Sequence, residues 1–123
     1  MDKNFFEKKI ENIKQNYNAN EKCPVIHAIK MIGSKWKIPI LWNITLEDGI
    51  HYNQLKRKVT GITNTMLTKS LKELEKDGLI KRVSYGTIPP SVSYHLTDIG
   101  RELILTFVEL RKWGILHIKN TMI

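Results

Sequence analysis

Apolar residues recur at helical spacing along much of the chain. The first stripe comprises Phe6, Ile10, Ile13 and Tyr17, with charged residues between them. It predicts an amphipathic helix over residues 2–17. A second helix is predicted to begin at Pro24, because proline suits the first helical position, and this places Cys23 near the N-cap. A third stripe consists of Trp36, Ile40, Leu41 and Ile44.

The middle of the chain has the pattern of two helices joined by a tight turn. Residues 51–59 predict a short helix, and Thr60-Gly61 predicts the turn. Thr63 is the expected cap of a longer helix, 63–77, because a threonine side chain accepts hydrogen bonds from free amides at a helix start. The residues predicted to face inward are Leu55, Val59, Ile62, Leu67, Leu71 and Leu74.

Two alternating segments and one more helix follow. The segments predict a hairpin over residues 80–97 with a loop at Gly86–Ser91, and Thr97-Asp98 is expected to cap a helix reaching about His117. This order predicts a mainly α fold with a small β-hairpin (α+β), which is the outline of a winged helix-turn-helix. No repeat or long linker divides the chain, so we expect one structural domain over residues 1–123.

The charge distribution favours a polyanionic partner. The net charge is +8 for 123 residues, which suggests nucleic acid or an anionic membrane surface. Residues 51–96 carry eight basic and three acidic side chains. A run of charge is usually only a solvated face, but here it coincides with the turn between two helices and the hairpin that follows. The combination favours duplex DNA.

One face of the predicted helix 63–77 has the residue types that read base edges. Asn can bond adenine at two points, Thr can donate, accept or touch the thymine methyl, and Lys can reach guanine or phosphate. The candidate base-contacting residues are Asn64, Thr65, Thr68 and Lys69. The candidate phosphate-contacting residues are Lys56, Arg57, Lys72, Lys81 and Arg82. The loop Gly86–Ser91 has no basic residue, so we expect its tip to add little Coulombic affinity.

Several classes of function find no support in the sequence. A single cysteine, Cys23, rules out an intramolecular disulfide and a cysteine-based zinc site, and fits a reducing, cytoplasmic compartment. The first residues have no apolar signal-peptide core, and no apolar run approaches the length of about 18 residues expected for a membrane span. The histidines lack metal-ligand spacing. We therefore expect no metal, no cofactor and no membrane partner.

The chain resembles the HxlR-type regulators, a branch of the winged-helix proteins related to MarR. The first matching residues are Cys23-Pro24-Val25, Ile32-Gly33-Ser34-Lys35-Trp36, Tyr52-Asn53-Gln54-Leu55, Gly61-Ile62-Thr63 and Met66-Leu67-Thr68. They continue as Leu71-Lys72-Glu73-Leu74-Glu75-Lys76-Asp77-Gly78-Leu79-Ile80, Arg82, Tyr85, Pro89-Pro90, Val92, Tyr94, Leu96-Thr97, Gly100 and Trp113-Gly114. Each match is weak alone, but together and in order they are strong.

The resemblance implies a homodimeric transcription factor without enzymatic activity, whose helix from Thr63 reads the major groove. It implies three parts: an N-terminal dimerisation helix (1–22), a DNA-binding core (23–97) and a C-terminal dimerisation helix (98–123). The implied dimer contacts are Phe6, Ile10, Ile13, Leu103, Phe107, Leu110 and Trp113. The resemblance also raises a thiol sensor at Cys23, because some members use the matching cysteine to sense electrophiles or oxidants. The other interpretation of Cys23 is a small residue that caps a helix, and a small-molecule effector pocket near the tryptophans also stays open.

Departures from the family pattern motivate a second hypothesis. The family often has proline and a cation after the capping residue and a cation after the double proline, whereas this chain has Asn64, Thr65 and Ser91. The missing cations fit a winged-helix protein-interaction module that does not bind DNA. A third hypothesis, a nuclease, requires a cluster of carboxylates beside the basic surface, and few are present there.

Overall fold

The computed structural model describes residues 2–121, and the chain divides into two compact units, one ending at Met31 and one beginning at Ile32. The first unit holds α1 (Lys3–Asn16) and nearly all of α2 (Pro24–Ile32). α1 is capped by Asp2, whose carboxylate accepts a hydrogen bond from the Asn4 amide at 3.0 Å. None of the residues of α1 is buried. The helix is therefore amphipathic, as predicted, with an apolar stripe that its own unit does not cover.

α2 begins at the predicted proline. The amide of His27 donates to the carbonyl oxygen of Cys23 at 2.9 Å, which is the first hydrogen bond of the helix. Pro24 has no amide hydrogen to leave unpaired in that first turn. Most of the apolar side chains of α2 are exposed, with Val25 at 65% and Ile29 at 56%.

The second unit carries the helix-turn-helix and the sheet. Its elements are α3 (Lys37–Leu46), β1 (Ile50–His51), α4 (Tyr52–Lys58), α5 (Asn64–Lys76), β2 (Ile80–Ser84), β3 (Val92–Leu96) and α6 (Asp98–Thr121). The predicted mainly α fold with a small β part is confirmed, and α4 and α5 lie where the sequence places them. Among the described residues, no helix is both long and apolar enough to cross a membrane.

The sheet has three strands rather than the two predicted. The order is β1–β3–β2, antiparallel throughout, with Ile50 opposite Tyr94 and Arg82 also opposite Tyr94 on the other side. β1 is only two residues long, so it shows no alternation that a sequence pattern could reveal. Because β1 runs directly into α4, it fixes the start of the helix-turn-helix to the hairpin.

The core of the second unit lies beneath α5 and the sheet. Its fully buried side chains are Ile40, Leu41, Ile44, Ile50, Leu55, Ile62, Leu67, Leu74, Ile80 and Ser93. The predicted leucine stripe of α5 is confirmed, since Leu67, Leu71 and Leu74 are all buried. Apolar burial at this stripe leaves the opposite face of α5 to solvent.

α5 ends in a tight glycine turn that leads into the hairpin. Gly78 has φ +77°, its amide donates to Glu75 O at 3.0 Å, and the Leu79 amide donates to Leu74 O at 3.0 Å. This is the Schellman pattern, which only a residue tolerant of positive φ closes without strain.

α6 is anchored to that turn. Thr97 Oγ1 accepts from the Gly100 amide at 3.1 Å and donates to the Gly78 carbonyl at 2.6 Å. Gly100 lies so close to the carbonyl oxygen of Leu79 that an added Cβ would overlap it. The cap predicted at Thr97-Asp98 is confirmed, and α6 runs to Thr121, beyond the predicted end near His117.

Only the first half of α6 packs on the core. Its buried residues are Gly100, Ile104 and Phe107, and the later apolar residues Leu110 and Trp113 are 56% and 61% exposed. Phe107, one of the implied dimer contacts, is 4% exposed in the single chain. Its ring centroid lies 6.0 Å from that of Trp42, because the helix is still against the core at this point.

Candidate nucleic-acid interface

The start of α5 is shaped by a turn and a cap. Gly61 has φ +85°, which permits the sharp turn after α4. Thr63 Oγ1 then accepts a hydrogen bond from the Met66 amide at 3.1 Å. The Thr63 side chain therefore caps the N-terminal turn of α5, and the outer face of this turn is exposed to solvent.

All four candidate base-contacting residues lie on that outer face. Asn64, Thr65, Thr68 and Lys69 are exposed, and they border one shallow depression together with Lys72 and Glu73. The surface is polar along the first two turns of the helix and carries the positive charge of two lysines. Its residues are of the types that hydrogen-bond to base edges and phosphates in protein–DNA complexes.

The candidate phosphate-contacting residues divide between different surfaces. Arg57 and Lys72 are exposed, and Lys56 is partly buried. Arg82 borders a depression of about 380 Å³ beside α5, shared with Thr68 and Lys72. Lys81 is on the other side of the hairpin, because successive side chains of a strand point to opposite faces.

The surroundings of Lys81 are partly acidic. It borders a separate depression with Asp48, His95, Asp98 and Arg101. The structure thus brings Arg82, but not Lys81, next to the outer face of α5.

Arg82 also lies opposite Tyr94 at the base of the hairpin. Burial raises the pKa of the Tyr94 hydroxyl, and a hydrogen bond from Arg82 opposes that rise. A guanidinium has five N–H donors, so this bond leaves donors for a phosphate.

Tyr52 is a site residue that the sequence reasoning did not assign. Its hydroxyl lies 3.1 Å from Thr68 Oγ1, 3.3 Å from Asn64 Oδ1 and 3.3 Å from the Asn64 carbonyl oxygen. These contacts join the first turn of α4 to the face of α5. Helical periodicity gave no sign of them, because it does not show which side chain of one helix reaches the next.

A buried lysine links α3 to α5. Lys37 is 7% exposed, and its Nζ is 2.8 Å from Glu73 Oε2. The hydrogen bond and charge of Lys37 hold the pKa of Glu73 below its ordinary value. Glu73 is thereby kept ionised and turned toward α3, so its charge is largely neutralised beside the basic face.

The hairpin loop is fixed to the rest of the sheet by side-chain bonds. The loop closes where the Tyr85 amide donates to Ser91 O at 3.0 Å. Ser91 Oγ lies 3.0 Å from His51 Nδ1, and the Tyr85 hydroxyl lies 2.9 Å from Ser93 Oγ. The hairpin base, β1 and the start of α4 therefore form one connected framework.

A serine, a histidine and an aspartate lie in a row at the back of the sheet. Ser93 Oγ is 2.8 Å from His95 Nε2, and His95 Nδ1 is 3.3 Å from Asp48 Oδ1. Ser93 is only 1% exposed and shares its oxygen with Tyr85. A substrate cannot reach this serine, so we interpret the row as a structural network. Within residues 2–121, no group of three His, Cys, Asp or Glu residues could hold a metal.

Cys23 lies in the first unit at the start of α2. Its side chain is exposed, and it borders a depression of about 280 Å³ together with Tyr17 and Lys22. The thiol is therefore open to small reagents.

The fold and the exposed face of α5 define a class: a winged helix-turn-helix regulator of transcription. Comparison with known families agrees, because the model described as HxlR-like helix-turn-helix matches residues 31–122. The chain belongs to the HxlR-like helix-turn-helix family. The resemblance seen in the sequence is confirmed.

Individual proteins similar to this chain are also regulators. The chain is 45% identical over 94 residues to the regulatory protein MalR of Fusobacterium mortiferum, covering 76% of this chain and 88% of that protein. The structure of a MarR-family transcriptional regulator from Porphyromonas gingivalis W83 is similar, with a TM-score of 0.72, 35% identity and coverage of 80% and 96%. The redox regulator HypR in its oxidized form is also similar, with a TM-score of 0.67, 37% identity and coverage of 75% and 94%. The predicted winged-helix fold is confirmed by these likenesses.

Proposed function

We propose that the chain regulates transcription as a homodimer that binds a palindromic DNA operator, with α5 in the major groove and the hairpin 80–97 as the wing. The observation that carries the proposal is the exposed polar face of Asn64, Thr65, Thr68 and Lys69 above a buried leucine stripe. Half-sites should lie about 34 Å apart, one turn of the duplex, since two copies related by a two-fold axis would present two such faces.

The test is selection of bound duplexes from a random library, followed by affinity measurements on the selected site. Lys69→Ala should weaken binding, whereas Lys76→Ala should have little effect. Both lysines lie on one face of α5, seven residues apart, and each change removes one charge. Lys76 is in the last turn, where the helix is expected to leave the groove. Failure of the wild type to bind any duplex at low salt would contradict the proposal and favour a protein-interaction module.

The dimer contacts belong to the same proposal. Phe6, Ile13, Leu110 and Trp113 are each more than half exposed, and Ile10 and Leu103 are partly buried. Large apolar side chains left open on terminal helices are typical of an interface with a second copy. Trp113→Asp should shift sedimentation toward the monomer, and an unchanged dimer would remove Trp113 from the interface.

A response to oxidants is a second candidate function, favoured by the exposed thiol of Cys23. The thiol lies directly before Pro24, the first residue of α2, where small reagents can reach it. Because the sequence has one cysteine, a disulfide would join two chains or one chain and a small thiol. Diamide should alter operator binding by the wild type but not by Cys23→Ser; an equal response of both proteins would contradict a sensor.

A further inference from the structure

The hydroxyl of Tyr52 lies where the first turn of α4 meets the first turns of α5. We propose that Tyr52 is a positioning residue: it fixes the side chains of Asn64 and Thr68 and so sets which base pairs the protein prefers. The inference rests on the proposed function, since Asn64 and Thr68 are two of its base-reading residues. It adds a residue that acts on sequence preference without itself touching a base.

The Tyr52 hydroxyl can bond to Asn64 and to Thr68 at the same time. A phenol donates one hydrogen and can accept others. The Tyr52 hydroxyl can donate to Asn64 Oδ1, at 3.3 Å, while the Thr68 hydroxyl donates to the Tyr52 oxygen, at 3.1 Å. The NH₂ group of Asn64 then remains free to donate outward. Oδ1 keeps a second lone pair, so both points of an adenine contact stay open.

The residue before Tyr52 is bonded to the sheet and to the cap of α4. His51, just before it, pairs with Ser93 in the sheet, and the His51 amide donates to Gln54 Oε1 at 3.2 Å in the cap of α4. The His51 ring is 3.0 Å from Ser91 Oγ. The backbone at the start of α4 is therefore tied to the sheet, and the Tyr52 hydroxyl extends from it to the two side chains of α5.

A side chain held in one orientation discriminates between bases better than a mobile one. A freely rotating asparagine can turn to suit several bases, so its preference among them is small. An asparagine held in one orientation leaves a donor or an acceptor unpaired against the wrong base, which is costly. Pre-ordering also reduces the conformational entropy lost on binding.

The test compares two tyrosine variants on an operator obtained by selection. Tyr52→Phe removes the hydroxyl at α5, and the control Tyr17→Phe removes the hydroxyl of an exposed tyrosine in the first unit, outside the helix-turn-helix and the hairpin. Affinities are measured on the operator, on single-base-pair variants and on an unrelated duplex. The base pairs under study are those at which Asn64→Ala or Thr68→Ala loses preference.

Tyr52→Phe should reduce discrimination at those base pairs about threefold to tenfold, the ratio that one hydrogen bond typically supplies. Its affinity for the unrelated duplex, and its discrimination at the other base pairs, should stay within about twofold of wild type. Tyr17→Phe should stay within the same limit in affinity and in discrimination at every base pair. In the free protein, NMR relaxation of the Asn64 side-chain NH₂ should show more motion in Tyr52→Phe than in the other two proteins.

Three results would overturn the inference. Tyr52→Phe could discriminate as well as wild type, or could weaken every duplex equally, or could leave the motion of the Asn64 amide unchanged. In each case the wild type still prefers its operator, so the proposed function stands. A wild type that binds no duplex would instead overturn the proposed function and the base-reading role of Tyr52 together.

Discussion

The two adjacent cations of β2 offer a test of where the wing meets DNA. Arg82 borders the depression beside α5 with Thr68 and Lys72, whereas Lys81 points to the opposite face, beside Asp48. Arg82→Gln and Lys81→Gln each remove one positive charge, and both positions are exposed. The two variants have the same net charge, so any difference between them in DNA binding reflects where the lost charge lay.

The expected size of the difference follows from counterion release. Each phosphate contact contributes about 0.9 to the slope of log affinity against log salt. A dimer carries two copies of Arg82, so Arg82→Gln should reduce the slope by about 1.8. Between about 50 mM and about 200 mM salt, wild type should therefore lose about 12-fold more affinity than this variant. Lys81→Gln should keep the wild-type slope.

Fluorescence anisotropy with a labelled operator measures these slopes directly. Thermal melting of each variant serves as the control, because Arg82 also bonds to Tyr94. Equal reductions in both variants would mean that only net charge matters and that the two faces are not distinguished. If neither variant changes the slope, the hairpin base does not contact phosphates, which would refute Arg82 as a phosphate-contacting residue.

Three further predictions concern stability. Gly100→Ala should lower the unfolding free energy by about 1–3 kcal/mol or more in urea denaturation, because the added methyl would meet the carbonyl of Leu79; an unchanged midpoint would show that α6 shifts freely. Thr63→Ala should lower it by about 1 kcal/mol through loss of the cap of α5, and Thr63→Ser, which keeps the hydroxyl, should retain most of it. The pKa of Glu73 is lowered by Lys37, so the stability it contributes is complete above its ordinary value of 4.5 and is lost as pH falls through the lowered value. Glu73→Gln should flatten that acid part of the pH profile, and an identical profile would contradict the ion pair.

The elements of the helix-turn-helix could be predicted because each has a local signature. The leucine stripe, the Thr63 cap and the turn at Gly78 all occur within α5 or within two residues of its ends. Such features depend on spacing and on the conformational preference of single residues. The exposure of the four base-reading candidates followed from the stripe alone, since they occupy the opposite side of the same helix.

The missed features depend on residues far apart in the chain. The strand β1 gains its identity only by pairing with β3, some forty residues later. Tyr52 reaches Asn64 and Thr68 across two elements, and Lys37 reaches Glu73 from α3. Periodicity within one segment carries no information about such pairs.

The family, the order of helices and strands, and the polar face of α5 can all be inferred from the amino-acid sequence, because helical and strand periods are properties of short segments. The position of Arg82 rather than Lys81 beside α5, and the contacts of Tyr52 with two side chains of α5, become visible only in the folded chain. Those outcomes depend on how a strand is rotated and how two helices cross. Packing of the whole core sets both.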